Sequence, residues 1–441
     1  MKRIVYIAIL ALFVLVYGCD DTNKGRVAVQ DIQLNPSVVV LAVGKEHTLK
    51  PTFVPADATY KTVVWECSDE SVVKMSNGKL TPLKEGRAIV TVTARDGDFT
   101  AQCEIIVAKG MTMTTTTKSG EIKLFLAGSG AATIDWGDGH DNDSHFLHEY
   151  ASLDWQYDDI ESKIDSKYEY THNYGGSDSR PIMICGENIT HLACSYVVLT
   201  DINVSDNSSL KYLDCSYNQE IDKLNISKNT ELTHLYCSYN ILEQLDIDKN
   251  LKLEVLHCGH NQLTGIDVSN NKYLKELRLY GGNQVSTLNI DNNTDLLILD
   301  CKDNNLKHLD ITHNNKLVQL YCGNNDLQEI NVSGHTGLTH LDCGNNRITV
   351  LSSISSCASL IELKCNDNEL SALNVSNNQV LEILDCRNNS LSTSAINTLF
   401  GTLHSNPIFG KIIYIAGNLG EGGTEAQQGA KTKGWNVSLL P

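Results

Sequence analysis

Between residues 194 and 386 a cysteine returns at 194, 215, 237, 258, 301, 322, 343, 365 and 386, with Leu279 in the one missing slot. Every interval is 21 or 22 residues. A unit this short cannot bury an apolar face by itself, so successive units must stack and share a core that runs along the stack. One turn reads L-T-H-L-Y-C-S-Y-N-I-L-E-Q-L-D-I-D-K-N, Leu232 to Asn250. Ten such turns at a strand spacing of ~4.8 Å make a parallel-β solenoid roughly 45 to 50 Å long. The three 22-residue turns carry one-residue insertions near Gln219, Gly282 and Ser353, placed on the solenoid surface.

Each turn divides into two halves, both ending in Asn. The first series is Asn218, Asn240, Asn261, Asn304, Asn325, Asn346, Asn368 and Asn389, with Asn283 displaced by one. The second is Asn207, Asn229, Asn250, Asn271, Asn293, Asn314 and Asn378, with Cys357 in the same slot. A stacked side-chain amide satisfies backbone groups that a regular ladder does not reach, so these Asn are structural. The turn resembles the leucine-rich repeat pattern L-x-x-L-x-L-x-x-N/C-x-L, with Cys in the third leucine slot, over about 200 residues. Parallel in-register strands point equivalent Cβ atoms the same way, which is poor disulfide geometry. The slot also accepts Leu279, and no C-x-x-C or H-x-E spacing occurs, so the ladder is read as reduced core cysteine, with no metal.

The N-terminus opens with Lys2 and Arg3, followed by an apolar run from Ile4 to Val16, too short to span a bilayer. It ends in V-Y-G-C, Val16 to Cys19, which resembles the lipobox of bacterial lipoproteins. The resemblance implies cleavage of residues 1–18, lipidation of Cys19, and a membrane association through that anchor alone. Asp20 and Asp21 resemble the acidic signal that sends some lipoproteins to the cell surface, so the expected location is the outer membrane, surface-exposed.

After a linker over 19–25, residues 26–108 alternate in short apolar strands, with Val63, Trp65 and Cys67 on one inward face and Cys103, Ile105 and Val107 on another. The motifs L-N-P, P-A-D-A-T, V-W-E-C-S-D and A-I-V-T-V-T-A resemble the bacterial immunoglobulin-like group 2 domain, a spacer or adhesion module. Cys67 and Cys103 are candidates for an intersheet disulfide, with two buried thiols as the alternative. Residues 109–187, marked by I-D-W-G-D-G at Ile134 to Gly139, resemble a PKD-like sandwich. Asp135, Asp138, Asp141 and Asp143 do not have EF-hand spacing and are read as turn carboxylates rather than a calcium loop. An acidic, Tyr-rich insertion runs from Leu153 to Lys167.

The solenoid is assigned to 188–391 and a small α/β cap to 392–441. In the cap Ile396, Leu399, Phe400 and Leu403 form an apolar helical stripe behind Ser394 as N-cap, and K-I-I-Y-I and W-N-V are strands around a second helix, Glu425 to Lys433. The fold class is therefore two all-β Ig-like sandwiches, a leucine-rich-repeat solenoid and a cap.

Function is expected on the sheet face of the solenoid. Tyr212, His234, Tyr236, His257 and Arg278 cluster on neighbouring turns, with Tyr321 and His340 further along, and amphipathic aromatics with Arg suit recognition of a protein or polysaccharide. The net charge of −18 disfavours nucleic acid as a partner. No nucleophile elbow, phosphate loop or zinc motif occurs, so neither an enzyme nor a cofactor is expected, and the chain is taken as a monomer. The expectation is a lipid-anchored surface protein that binds a ligand, its Ig-like modules acting as spacers. Two other readings stay open: a structural spacer or assembly component, and an accessory protein or enzyme of glycan utilisation.

Overall fold

The computed structural model describes residues 25–116, 119–139, 143–150, 166–175 and 179–440. The leader with Cys19, Asp20 and Asp21, together with Asp141 and residues 153–165 of the acidic insertion, lies outside the described residues. Among the described residues no helix is long and apolar enough to cross a membrane.

The first module is an Ig-like sandwich. One sheet orders Val38–Ala42, Thr100–Ala108, Gly86–Ala94 and Val63–Cys67, and the facing strands include a His47–Thr48, Lys79–Pro82 and Val73–Ser76 sheet. The alternation has the expected effect: Ala88, Val90, Val92 and Ala94 are buried on one long strand, and Cys103, Ile105 and Val107 on the next. Val63, Trp65 and Cys67 pack against this core only partly buried. The intersheet disulfide is corrected. Cys67 and Cys103 both stand opposite Val90, on either side of its strand in a single sheet. Two strand spacings, about 9.6 Å, separate them, beyond the reach of a disulfide. Both are free thiols.

The second module and the solenoid share one sheet and one core. Strand Gly110–Thr115 pairs antiparallel with both Arg180–Ala193 and Leu199–Asn203. The seventeen-residue strand Ser119–Asp135 pairs with Asp143–Phe146, Glu169–Gly175 and Arg180–Ala193. Strand Arg180–Ala193 then does two jobs. Its first half completes the sandwich, and its last three residues pair in parallel with the first solenoid strand, Tyr212–Asp214. The expected boundary between 187 and 188 falls inside this strand, and buried side chains run without a break from Met111 to Trp435. The carboxylates of the I-D-W-G-D-G turn are engaged locally: Asp135 accepts from the Gly137 amide at 2.9 Å, Asp143 from Trp136 Nε1 at 2.7 Å, and Asp138 meets His172 at 2.8 Å.

Every later turn contributes a three-residue parallel strand in register, from His234–Tyr236 to Ile383–Asp385. The cysteine slot is buried on each turn, and Leu279 fits it equally well. Behind each strand, the first-corner Asn bridges turns: Asn261 donates to the Cys237 carbonyl at 3.0 Å and the Cys258 carbonyl at 3.1 Å, while its Oδ1 accepts from the Leu242 amide at 3.0 Å. The second-corner Asn250 donates to the Ile226 and Asn229 carbonyls at 3.0 and 2.9 Å. His335 occupies this second corner between Asn314 and Cys357 and is fully buried, with neither ring nitrogen hydrogen-bonded. The inserted residues lie at surface corners, Gln219 and Gly282 at φ 65° and 84° and Ser353 in a short 3₁₀ turn.

The cap extends the same ladder with Ile412–Tyr414 and Asn436–Ser438. Its helices are Thr393–Thr402 and Thr424–Thr432. The N-cap of the first is Ser392, not Ser394: the Ser392 hydroxyl accepts from the Ala395 amide at 3.2 Å, which places Ser394 inside the first turn. Trp435 closes the core, donating from Nε1 to the His404 carbonyl at 3.0 Å.

Candidate functional site

In the pleated strands the residue before each cysteine and the residue two before that cysteine's neighbour point away from the core, so two columns of side chains line the sheet face. Because the strands are parallel and in register, each column places like positions about one strand spacing apart, and the identities in the column set the surface. Across the first turns these columns read His191, Tyr212, His234, Val255, Glu276 and Ala193, Asp214, Tyr236, His257, Arg278.

Five of the expected residues come together. Tyr212 stacks between His191 and His234 with centroids 5.9 and 6.1 Å away, and tilts against Tyr236 at 5.3 Å. Tyr236 meets His257 edge-on at 4.6 Å. His257 Nε2 lies 2.7 Å from Glu276, and Arg278 Nε donates to the same carboxylate at 2.6 Å. Burial alone would raise Glu276, but the bonds and charges of His257 and Arg278 outweigh it and hold the carboxyl below its ordinary value. Burial lowers His234, and it lowers His191 to about 4, so both rings are neutral at pH 7.

Two points correct the expectation. Tyr212 is not exposed: at 0% accessibility it packs with Phe125 and Ala193, while Tyr150 of the second module lies 5.5 Å from the neighbouring His191 ring. His234 is buried as well, leaving Tyr236, His257 and Arg278 partly exposed, the last two side chains at 15% and 14%. Tyr321 and His340 do not join the cluster. The Ile298–Asp300 strand separates Tyr321 from Arg278, and His340 lies one strand further. There Tyr321 bonds Gln319 at 3.3 Å beneath Lys302, and His340 meets Thr339 at 2.9 Å.

A further column beside the face was not anticipated. Tyr196, Tyr217, Tyr239 and His260 occupy the corner two residues after each ladder cysteine and stack at 4.4, 4.2 and 4.0 Å, with Tyr280 edge-on to His260 at 5.3 Å. The signal was present in the repeat, as S-Y-N, S-Y-N and G-H-N on successive turns, but only an alignment of turns position by position exposes it.

Compared with known proteins, residues 28–105 match the bacterial Ig-like domain (group 2) family. An uncharacterised protein of Clostridium acetobutylicum is 37% identical over 90 residues, which cover 20% of this chain and 23% of that protein. An Ig-like virion protein of Serratia phage KSP90 is 33% identical over 109 residues, covering 24% of this chain and 42% of the phage protein. The chain thus spans less than half the length of these relatives. Among solved structures, the functional domain of InlJ from Listeria monocytogenes, described as including a cysteine ladder, is 32% identical with a TM-score of 0.43, over 51% of this chain and 55% of that one.

Proposed function

We propose that this chain is a bacterial surface protein that binds a protein or glycan through the sheet face of its solenoid, with the Ig-like modules holding that face away from the membrane and lipidated Cys19 anchoring it at the outer membrane. The observation that carries the reading is the convergence of Tyr236, His257 and Arg278 at the surface on successive turns, with Glu276 bonding His257 and Arg278 and the buried Tyr212 packed beside Tyr236. Preordered aromatic and guanidinium groups lose little conformational freedom on contact, which is the composition of interface hot spots. Within the cluster, Glu276 bonds both His257 and Arg278.

Beads coated with the full chain should adhere to one or more members of a panel of matrix proteins and polysaccharides. A variant with Tyr236→Ala, His257→Ala and Arg278→Ala together should lose about tenfold or more of that affinity, the size expected when hot-spot side chains are truncated. Adhesion unchanged in the triple variant would sink the reading. For the anchor, cells expressing the protein should incorporate labelled palmitate into it, and Cys19→Ala should abolish the label; a labelled Cys19→Ala protein would place the acyl group elsewhere.

A further inference from the structure

We infer that the corner column Tyr196, Tyr217, Tyr239 and His260, with the adjoining Tyr280, is a docking strip for a neutral or basic protein surface, beside the sheet-face cluster and resting on the binding function proposed above.

The backbone supplies the first reason. Tyr196, Tyr217, Tyr239 and His260 all lie in the left-handed region, at φ 59°, 56°, 58° and 49°. In the later turns the same corner is held by Asp303, Asn324, Asn345, Asp367 and Asn388, at φ 51° to 55°. Asn and Asp, and His to a lesser degree, enter this region readily, whereas Tyr gives up roughly 1–2 kcal/mol there. From Tyr217 onward the surroundings are alike in both halves, with a ladder cysteine two residues before and a corner Asn just after, whereas Val197 follows Tyr196. The solenoid is therefore built equally well without aromatic corners, yet consecutive turns at one end carry them.

The ring geometry supplies the second. Planes within 11° to 18° of parallel, at centroid spacings of 4.0 to 4.4 Å, cover one another's faces and turn edges and polar tips outward. Sugar C–H groups need open ring faces, and within the parallel stack the inner rings Tyr217 and Tyr239 are covered on both sides, while Tyr196 at its end is 58% exposed. Ring edges carry the positive end of the aromatic quadrupole and suit carbonyl oxygens, which a polypeptide presents at every residue. Rings immobilised by stacking are also anchored at low entropy cost, as in Tyr-rich paratopes.

Extent and charge narrow the partner. Four corners and Tyr280, which precedes the Gly281 corner of the next turn, cross four strand spacings and span ~20 Å. With the adjoining face this is a few hundred Å², less than the ~800 Å² per side of a standard interface, so the strip is the aromatic core of a larger contact. A chain of net charge −18 repels polyanions, which leaves neutral or basic protein surfaces.

The test uses the full chain and a triple variant, Tyr217→Asn, Tyr239→Asn and His260→Asn, which installs the residue type of the later turns. Both are applied to an immobilised array of 15-residue peptides graded from acidic to basic, and to a panel of neutral polysaccharides. The expected result is retention of the wild type on neutral and basic peptides, a loss of about tenfold or more in the triple variant, and a melting temperature within a few degrees of wild type. Three results overturn the inference: equal peptide binding by the variant, wild-type retention on polysaccharides alone or on neither panel, or a variant that fails to fold, which would assign the aromatics to the architecture. Loss of binding in the Tyr236, His257 and Arg278 alanine variant alongside retention in the corner variant would leave the sheet-face function standing and this strip without a role.

Discussion

Raising the pH in the presence of a reductant should unfold the solenoid steeply near pH 10, followed by far-UV circular dichroism. Nine ladder thiols, from Cys194 to Cys386, are buried. Burial pushes Cys258 up to about 12 and raises the other ladder thiols as well. Below a pH of about 9, the ordinary thiol value, folded and unfolded chains both hold these protons and the stability is complete. Above it the unfolded chain releases them and the folded chain does not, so each thiol withdraws about 1.4 kcal/mol per pH unit. At pH 10 nine thiols together withdraw on the order of 13 kcal/mol, comparable with the ~5–15 kcal/mol that holds a domain folded. Turns couple mainly to their neighbours, so part of the ladder can open before the rest. An undiminished native spectrum at pH 11.5 would show that the ladder thiols do not govern alkaline stability.

Truncation should have an equally large effect, and its position matters to within a few residues. A fragment beginning at 188 divides strand Arg180–Ala193 and deletes Gly110–Thr115, the antiparallel partner of Leu199–Asn203. It strips the cover from a region where Ile189, Leu192, Val197, Leu199 and Ile202 are buried. Re-exposing five such side chains at ~1.5–3 kcal/mol each costs on the order of 10 kcal/mol and leaves an open sheet edge. That fragment should aggregate, whereas one beginning at 109 should remain soluble and melt cooperatively. Equal solubility and melting temperature of the two fragments would show that the second module is dispensable as a cap.

The repeating interior was legible because its causes are local. The cysteine slot, both Asn corners and the terminal capping strands follow from residues within one turn of each other, and the structure places them in register. The site was legible only in part. Tyr236, His257 and Arg278 lie where the repeat pattern puts them, but Tyr212, in the companion column of the same face, is buried, because Phe125 packs against it from a strand almost ninety residues earlier. Cys67 and Cys103 both alternate inward, and alternation says nothing about whether two inward residues face each other across the core or share a sheet. Ser392 and Ser394 are both good N-caps by type, and the choice depends on where the last turn releases the chain.

What the sequence by itself determined is the period: 21 or 22 residues force one short strand per turn, and an apolar slot that repeats must stack into a continuous core. Tertiary structure alone decided the ends and the surface. The second module closes the first turn by lending it half of one strand, and that union buries Tyr212 and His191 while Tyr236 and the stacked corner rings stay at the surface. The reason is physical: period is written in near-neighbour spacing, whereas exposure depends on which distant segment covers a position.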